Sequence, residues 1–414
     1  MQGIYFGEVL MSGKKVKFID VGEGDCILLQ PQGKWSLNST DIYVDTGNGN
    51  KDIAKVSHSK KINIVLTHNH SDHVNGIQYL LSDMTKNIQN IYLPFYANEI
   101  DMIAQSIIKL KGFQYSEAAH EIYRFFQDFH KCYIGLKNKL TPIQAMTKIT
   151  FVSQNYHFDD CLECLNPSMC FDEIQWASNI DVNSFFYDID RIFVKDFAAK
   201  FKRYFVHYRG THDSEHAYNE TNRFIENLND SWIEDSEDNA ERQEARTSFM
   251  LSFFASNMLL FSSFNASPNL EIAKQIKKNF QKVSHDVCIV LMANLEGQKI
   301  LLTSDASVCV FERLIREKIS IQADYMKASH HGSINNINRS ILEAVQPKAI
   351  IISHGNRTFG RAKDSHPHIE TLKLLSSMKI RILSTRDITK ENTIVFSKKS
   401  QESYLLNNPI IEIE

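Results

Sequence analysis

Short apolar runs alternate with turn residues over the first hundred positions, and the same pattern returns in the last third of the chain. Within 1–98 the runs 4–6, 16–19, 26–29, 42–44, 62–66 and 91–93 have strand length and polar or glycine borders. The stretch 75–81 predicts a short helix after the fifth run. From about residue 99 the spacing changes. Ile103, Ile107 and Ile108, then Ile122, Phe125, Phe126 and Phe129, recur at intervals of three and four, which is the period of one helix face. Strand signals resume after 282. The runs 287–292 and 299–302 predict a hairpin through Asn294-Leu295-Glu296-Gly297. Residues 311–317 predict a helix, 325–328 and 349–352 two strands with a helix at 340–345 between them, and 380–383 and 393–396 the last strands. The chain is therefore expected to be α/β. Two β-rich halves, 1–98 and 283–414, flank a mainly helical insertion, 99–282, that caps a site or meets a protein partner or a second copy.

Composition narrows this picture little. The chain has 414 residues, 43% of them hydrophobic, enough to bury a sizeable core. A formal net charge of -3 exerts no global pull on polyanions, so nucleic acid would have to be held by a local basic patch. The Cys count is 7, odd and too sparse for a disulfide scaffold, which suits a reducing cytosol. The first residues carry no apolar stretch long enough for a secretory signal. Residues 247–270 lack charge and are rich in Phe, Leu and Met, yet they also hold several Ser, three Asn and Pro268. They read as a buried helix and not a membrane span. The acidic run 226–244 reads as a solvated face or linker. A cytoplasmic protein without a membrane segment is expected.

The densest chemistry follows the strand 62–66. His68-Asn69-His70-Ser71-Asp72-His73 places four ligand-type side chains in six residues, just where a loop leaves a strand end. Imidazoles with a carboxylate suit zinc, and after it manganese. One loop cannot fill the shells of two ions, so other strand ends must contribute. Asp305 follows the run 299–302, and His330-His331 follow 325–328. Asp305 has two oxygens and can bridge two cations. A second grouping, His157, Cys161, Cys164 and Cys170 in the insertion, offers a small structural zinc site, with buried thiols as the default reading. The aromatic stretches 185–187 and 201–205 read as core.

Phe18-Ile19-Asp20-Val21-Gly22-Glu23-Gly24-Asp25, Val44-Asp45-Thr46-Gly47, and the segments 66–76, 301–305, 327–333 and 349–368 occur together and in one order. In these the chain resembles the metallo-β-lactamase superfamily and, within it, the hydrolase domain of ComEC-type competence proteins. The resemblance spans about 14–95 and 284–398 and leaves out the insertion. It implies a four-layer αββα metallo-β-lactamase sandwich and a metal-dependent hydrolase. It implies His68 and His70 as ligands of a first cation, Asp72 and His73 as ligands of a second, and Asp305 as the bridge. His330 is implied as a further second-site ligand, with His331 beside it in a catalytic role. His285 stands where the wider superfamily often has a third first-site His, although on residues alone it reads equally as a turn residue. Ser304 occupies a usual Gly position, and 361–364 lengthen the loop before His366-Pro367-His368.

The implied chemistry is activation of a water by two divalent cations, Zn2+ or Mn2+, for attack on phosphorus or a carbonyl carbon. Asp72 could also orient that water. Asp45 and Asp20 would hold ligands from behind. Lys327, Arg357 and Ser333 are candidate phosphate contacts, Lys327 with a catalytic part as well, while Arg361 and Lys363 read as scattered surface cations. His366 is a candidate proton donor or phosphate contact. The expected reaction is cleavage of phosphodiester bonds in DNA or RNA. Two other readings stand beside it: a small-molecule ester hydrolase (phosphocholine ester, cyclic nucleotide or lactone), and a partner-binding protein with a vestigial site. The chain lacks the membrane segments of a ComEC-type channel, so DNA uptake is not implied.

Overall fold

The computed structural model describes residues 15–30, 40–83, 85–115, 117, 119–159, 161–169, 182–195, 198, 233–237, 239–295, 297–355, 365–390, 393–396 and 410–413. The expected strand 4–6, the aromatic run 201–205, Cys170, Arg357, Arg361 and Lys363 lie outside them. The chain divides into two compact units. Unit 1 is Met1–Pro94, Ile143–Pro167 and His285–Glu414; unit 2 is Phe95–Pro142 and Ser168–Ser284.

Unit 1 contains two seven-stranded sheets. The first is built from β1 (Lys15–Ile19), β2 (Ile27–Gln30), β3 (Thr40–Val44), β4 (Lys61–Val65), β5 (Asn87–Pro94), β6 (Lys148–Val152) and β16 (Ile410–Ile413), in the order β16-β1-β2-β3-β4-β5-β6. β16, β1, β2 and β3 pair antiparallel, and β3 to β6 pair parallel. The second sheet contains β7 (His157–Asp159), β8 (Leu162–Asn166), β9 (Val290–Leu295), β10 (Gln298–Leu302), β11 (Tyr325–Lys327), β12 (Ala349–Ile352) and β13 (Arg381–Ser384), in the order β13-β12-β11-β10-β9-β8-β7. Its β10 to β13 pair parallel and β7 to β10 antiparallel. β14 (Ile388–Lys390) and β15 (Thr393–Phe396) form a separate ribbon, so the expected strand 393–396 does not join the sheet.

The alternation of side chains along each strand builds the layers. Val16, Phe18, Ile27, Leu29, Val44 and Val65 of the first sheet pack with Leu291, Ala293, Ile300, Leu302 and Ile351 of the second, and with Ile289 just before β9, in one buried cluster. The intervening Val290, Met292, Leu301, Met326, Ile350 and Ile352 face the other way. They bury against α8 (Val308–Arg316) through Phe311 and Leu314, α9 (Arg339–Val345) through Ile341 and Val345, and α10 (Ile369–Ser377) through Leu375. β12 reads Ala-Ile-Ile-Ile, all buried, because a parallel strand covered on both faces has no solvent side. Each such Leu, Ile, Val or Phe contributes roughly 1.5–3 kcal/mol. Asn338 accepts the Ile341 N–H at 2.9 Å and so starts α9. Behind the first sheet lie α1 (Ser71–Val74), α2 (Ile77–Leu81) and a 3-10 turn, Lys51–Lys55, to whose Ile53 carbonyl Tyr43 donates at 2.8 Å. The four-layer αββα arrangement expected from the sequence is present.

The expected insertion boundaries need amending. Residues 143–167 lie inside 99–282 but supply β6 to the edge of the first sheet and β7 and β8 to the edge of the second. Cys161 and Cys164 belong to the core between the sheets. Cys164 is fully buried, donates to the Asn166 carbonyl at 3.0 Å, and has its thiol pKa pushed up by that burial. Among the described residues no metal-type group contains His157, Cys161 or Cys164. Cys161 and Cys164 are thus buried core thiols, and Cys170 of the same expected grouping lies outside the described residues.

Unit 2 is helical: α3 (Ala97–Ile108), α4 (His120–Leu140), α5 (Val182–Ile192), α6 (Ala240–Ala266) and most of α7 (Leu270–Asp286). α4 buries Ile122, Phe126, Phe129, Tyr133 and Leu136 along one face, and Phe280 of α7 packs 5.1 Å from Phe126 and 5.0 Å from Phe129. The stretch Glu241–Ala266 is long and apolar enough to cross a membrane, but 61% of its most apolar window is buried, as in a core helix.

Candidate metal centre

Parallel strands collect functional loops at their carboxyl ends, and the centre is built from five such ends. β3 runs into Asp45, β4 into His68, β10 into Asp305, β11 into His330 and His331, and β12 into Ser353. The loop after β4 turns at once into α1, so His70 sits at its N-terminus with extended backbone and His73 lies in its only turn. Thr46 grips that turn, its N–H and hydroxyl both donating to the His73 carbonyl at 2.7 and 2.9 Å. The last turn of α7 adds His285.

Asp305 stands between two groups of ligands. Its Oδ2 lies 3.6 Å from His68 Nε2, and its Oδ1 lies 3.6 Å from His73 Nε2 and 3.7 Å from His331 Nε2. His331 Nε2 is 3.4 Å from Asp72 Oδ2, and His73 Nε2 is 3.8 Å from it. These gaps exceed a hydrogen bond. They match the roughly 3.4 Å edge of a tetrahedron with bonds of about 2.0–2.1 Å. Two ligand groups result: His68, His70, His285 and Asp305, and Asp72, His73 and His331, with Asp305 Oδ1 facing the second. The Nε2 atoms of His68, His73, His285 and His331 and the Oδ1 of Asp305 are buried and take no hydrogen bond among the described residues. Buried polar atoms without partners are costly, and convergent ones with this donor chemistry fit a pair of divalent cations.

No family model matches the chain. A 97-residue stretch, 23% of the chain, is 32% identical to ComE operon protein 3 of Bacillus subtilis (strain 168) and spans 12% of that protein. A solved structure described as a metal-dependent hydrolase of the beta-lactamase superfamily aligns over 90% of this chain and 95% of its own, at 8% identity and a TM-score of 0.36. Within this two-sheet arrangement the ligand-type side chains are oriented from behind. Asp45 accepts the His73 Nδ1–H at 2.7 Å and also the Thr67 N–H and hydroxyl, each at 2.7 Å. His331 Nδ1–H donates to the Ser353 carbonyl at 2.9 Å. Each bond fixes a proton on Nδ1 and turns Nε2 of that ring to Asp305. Ser304, in the usual Gly place, has φ 48, and its hydroxyl meets Thr67 Oγ1 at 2.6 Å and His68 Nδ1 at 3.3 Å. The left-handed backbone that favours Gly is thus retained, and the hydroxyl helps hold His68.

The local field sorts the histidines. Burial pushes His68 and His285 well below the usual imidazole range and His70 to about 4, so these rings are neutral and ready to bind a cation. Burial also acts downward on His73, but Asp45, Asp305 and Asp72 outweigh it and raise its pKa well above normal. Burial would raise Asp305; His330, His73 and His331 hold it well below normal.

Several expected roles change. His331, expected beside the second site, joins Asp72 and His73 as a ligand-type group. His330, expected as the ligand there, stands 3.7 Å from Asp305 Oδ2 and 4.7 Å from the His285 ring, and its Nδ1 meets Asn336 Oδ1 at 3.3 Å. The reason is the backbone: His330, His331 and Gly332 have φ of 46, 54 and 87, and this left-handed run swings the second ring, not the first, toward Asp72. Lys327 is no surface phosphate contact. It is fully buried, ion-paired to Asp25, and donates to the Ser304 carbonyl at 2.9 Å. Ser333 is 1% exposed, and its hydroxyl accepts the Asn335 N–H at 3.3 Å, which leaves it within a turn. Asp20 binds Arg386 and accepts the Gly22 N–H at 3.1 Å, so it holds a loop and no ligand. His366 does stand at the centre, 4.7 Å from the His330 ring and 6.4 Å from His331.

Two residues escaped the sequence reading. Asp25 is buried under the second ligand group, and Ser353 ties His331 to the Gly24 carbonyl, which its hydroxyl meets at 2.9 Å. The available signal was the Gly22-Glu23-Gly24-Asp25 turn. Gly24 has φ 99, and a Cβ there would lie 1.7 Å from the Asp72 carbonyl oxygen, so only glycine lets the turn lie against α1.

Proposed function

We propose that this chain is a hydrolase of phosphodiester bonds in DNA or RNA, using two divalent cations, zinc first and manganese second. The observation that carries this reading is the division of Asp305: one oxygen toward His68, the other toward His73 and His331. Cations held there supply Lewis acidity and bring the pKa of a water toward neutrality. The protein's part is positioning. Asp72, with a side chain 27% exposed, is the most open carboxylate of the set and orients the attacking water. His366 is pushed down to about 2 by burial and by His330, His331 and His368, so it is neutral at pH 7. It serves as a neutral donor to a phosphoryl oxygen and not as an imidazolium acid. The segment similarity to ComE operon protein 3 supports the family reading, though it covers a small part of that protein. The cytosol remains the proposed compartment, and unit 2 the proposed region for substrate selection or a partner.

One observation favours a second substrate class. Lys327, the strand-end cation expected to meet phosphates, is buried and paired. That suits a small ester (a cyclic nucleotide, a phosphocholine ester or a lactone) better than a long polyanion. Elemental analysis of the purified protein, then turnover of single-stranded DNA, RNA, bis(p-nitrophenyl) phosphate and the small esters, separates the two. Two bound cations with cleavage of nucleic acid is the expected result. Turnover of small esters alone moves the assignment to them, and a protein that takes up no cation is not this hydrolase.

A further inference from the structure

The metal centre contains one carboxylate more than its two ligand groups use. Asp25 is 1% exposed, and its Oδ1 accepts no hydrogen bond among the described residues. That oxygen stands 3.6 Å from His331 Nδ1, and Oδ2 stands 4.0 Å from His73 Nδ1. Asp25 thereby completes two further ligand-type groups, one with Asp305 and His331 and one with Asp45 and His73. Beside it lies the ammonium of Lys327, paired to Asp25, 3.8 Å from Asp305 Oδ1 and hydrogen-bonded to the Ser304 carbonyl. Lys327 ends β11, which is flanked by β10 on one side and β12 on the other, and the side chain has no exposure to solvent.

We propose that the Lys327 ammonium is a tethered cation seated in a third acidic position of the metal centre, and that it limits the centre to two exchangeable cations. This rests on the dinuclear reading above. Remove the ammonium, and Asp25 is a buried carboxylate without a countercharge next to Asp305. Such a group is costly to bury alone, and a further divalent cation can compensate it. Remove the Asp25 carboxylate instead, and an uncompensated ammonium repels whatever Asp305 binds. The two removals act on cation affinity with opposite signs. A pair that served only as packing would weaken binding in both variants.

The test uses the full chain, stripped of metal, as wild type, Lys327→Met, Asp25→Asn and the double variant. Zn2+ stoichiometry is read by plasma mass spectrometry and affinity by competition with a chromogenic chelator, with circular dichroism to check folding. Wild type is expected to hold two equivalents and Lys327→Met three. Asp25→Asn is expected to bind at least ~10-fold more weakly, and the double variant to return to two equivalents near wild-type affinity. Two equivalents at unchanged affinity in Lys327→Met overturn the proposal, as does weakening in both single variants. Should Lys327→Met not fold, the double variant decides: no recovery relative to Asp25→Asn overturns it. Wild type with two cations and no third in Lys327→Met defeats this inference alone; wild type with none defeats the dinuclear reading as well.

Discussion

Replacing Asp45 by Asn changes one oxygen to nitrogen in a place where the carboxylate takes three hydrogen bonds. All three donors, His73 Nδ1, Thr67 N and Thr67 Oγ1, lie at 2.7 Å. The new amide nitrogen must face either the Thr67 N–H or the pair formed by His73 Nδ1 and Thr67 Oγ1. In the first case two donors collide. In the second, His73 accepts at Nδ1, and the proton moves to Nε2, the atom turned to Asp305 and Asp72. Backbone strain does not confuse the result, since Asp45 has φ 58 and Asn tolerates that region. Loss of such an orienting group costs about 10–100-fold in metal affinity, or roughly 1.4–2.7 kcal/mol. The loss should fall on one equivalent, because Asp45 holds His73, which belongs to the group with Asp72 and His331. Competition titration with zinc is the assay, read as two separate steps. Two steps of wild-type affinity in Asp45→Asn would refute the claim that Asp45 sets the His73 tautomer.

Three further outcomes follow from the same geometry. His73 and His331 have raised pKa values without metal, whereas His68, His70 and His285 are lowered. The raised groups hold protons at pH 7 that a cation must displace, so affinity of the second group should climb as pH rises, with between one and two protons released. Calorimetry in buffers of different ionisation enthalpy measures this, and zero release contradicts it. Gly24→Ala forces the 22–25 turn off the Asp72 carbonyl; one zinc step should weaken by about tenfold or more, and an unchanged titration would show that the turn does not brace α1. Arg313, 6% exposed, donates to Gln154 Oε1 at 2.6 Å and Asn166 Oδ1 at 2.9 Å. Arg313→Met should lower stability by about 3 kcal/mol in urea unfolding; a change below about 1 kcal/mol would mean that these acceptors find other partners.

The strand-end chemistry was legible because it needs only a buried strand and a ligand next to its end. His68, His70, Asp72, His73 and Asp305 satisfy that rule, and β12 matches its expected bounds because four consecutive apolar residues admit few other readings. What escaped depends on distant parts of the chain. Lys148–Val152 has strand character, but its place beside β5 is a tertiary choice made across the helices α3 and α4. The exchange of His330 for His331 turns on left-handed backbone at two non-glycine residues, which residue type does not announce. Lys327 reads as a strand-end cation; its burial comes from pairing on both flanks of β11.

The chain leaves the sandwich after Pro94, returns at Ile143, leaves again after Pro167 and returns at His285. The helical part is therefore two excursions and not one cassette. A protein engineer who excised 99–282 as a single loop would strip an edge strand from the first sheet and two from the second, exposing unpaired backbone that invites aggregation. A minimal two-sheet core needs two splices, one on each side of the short return.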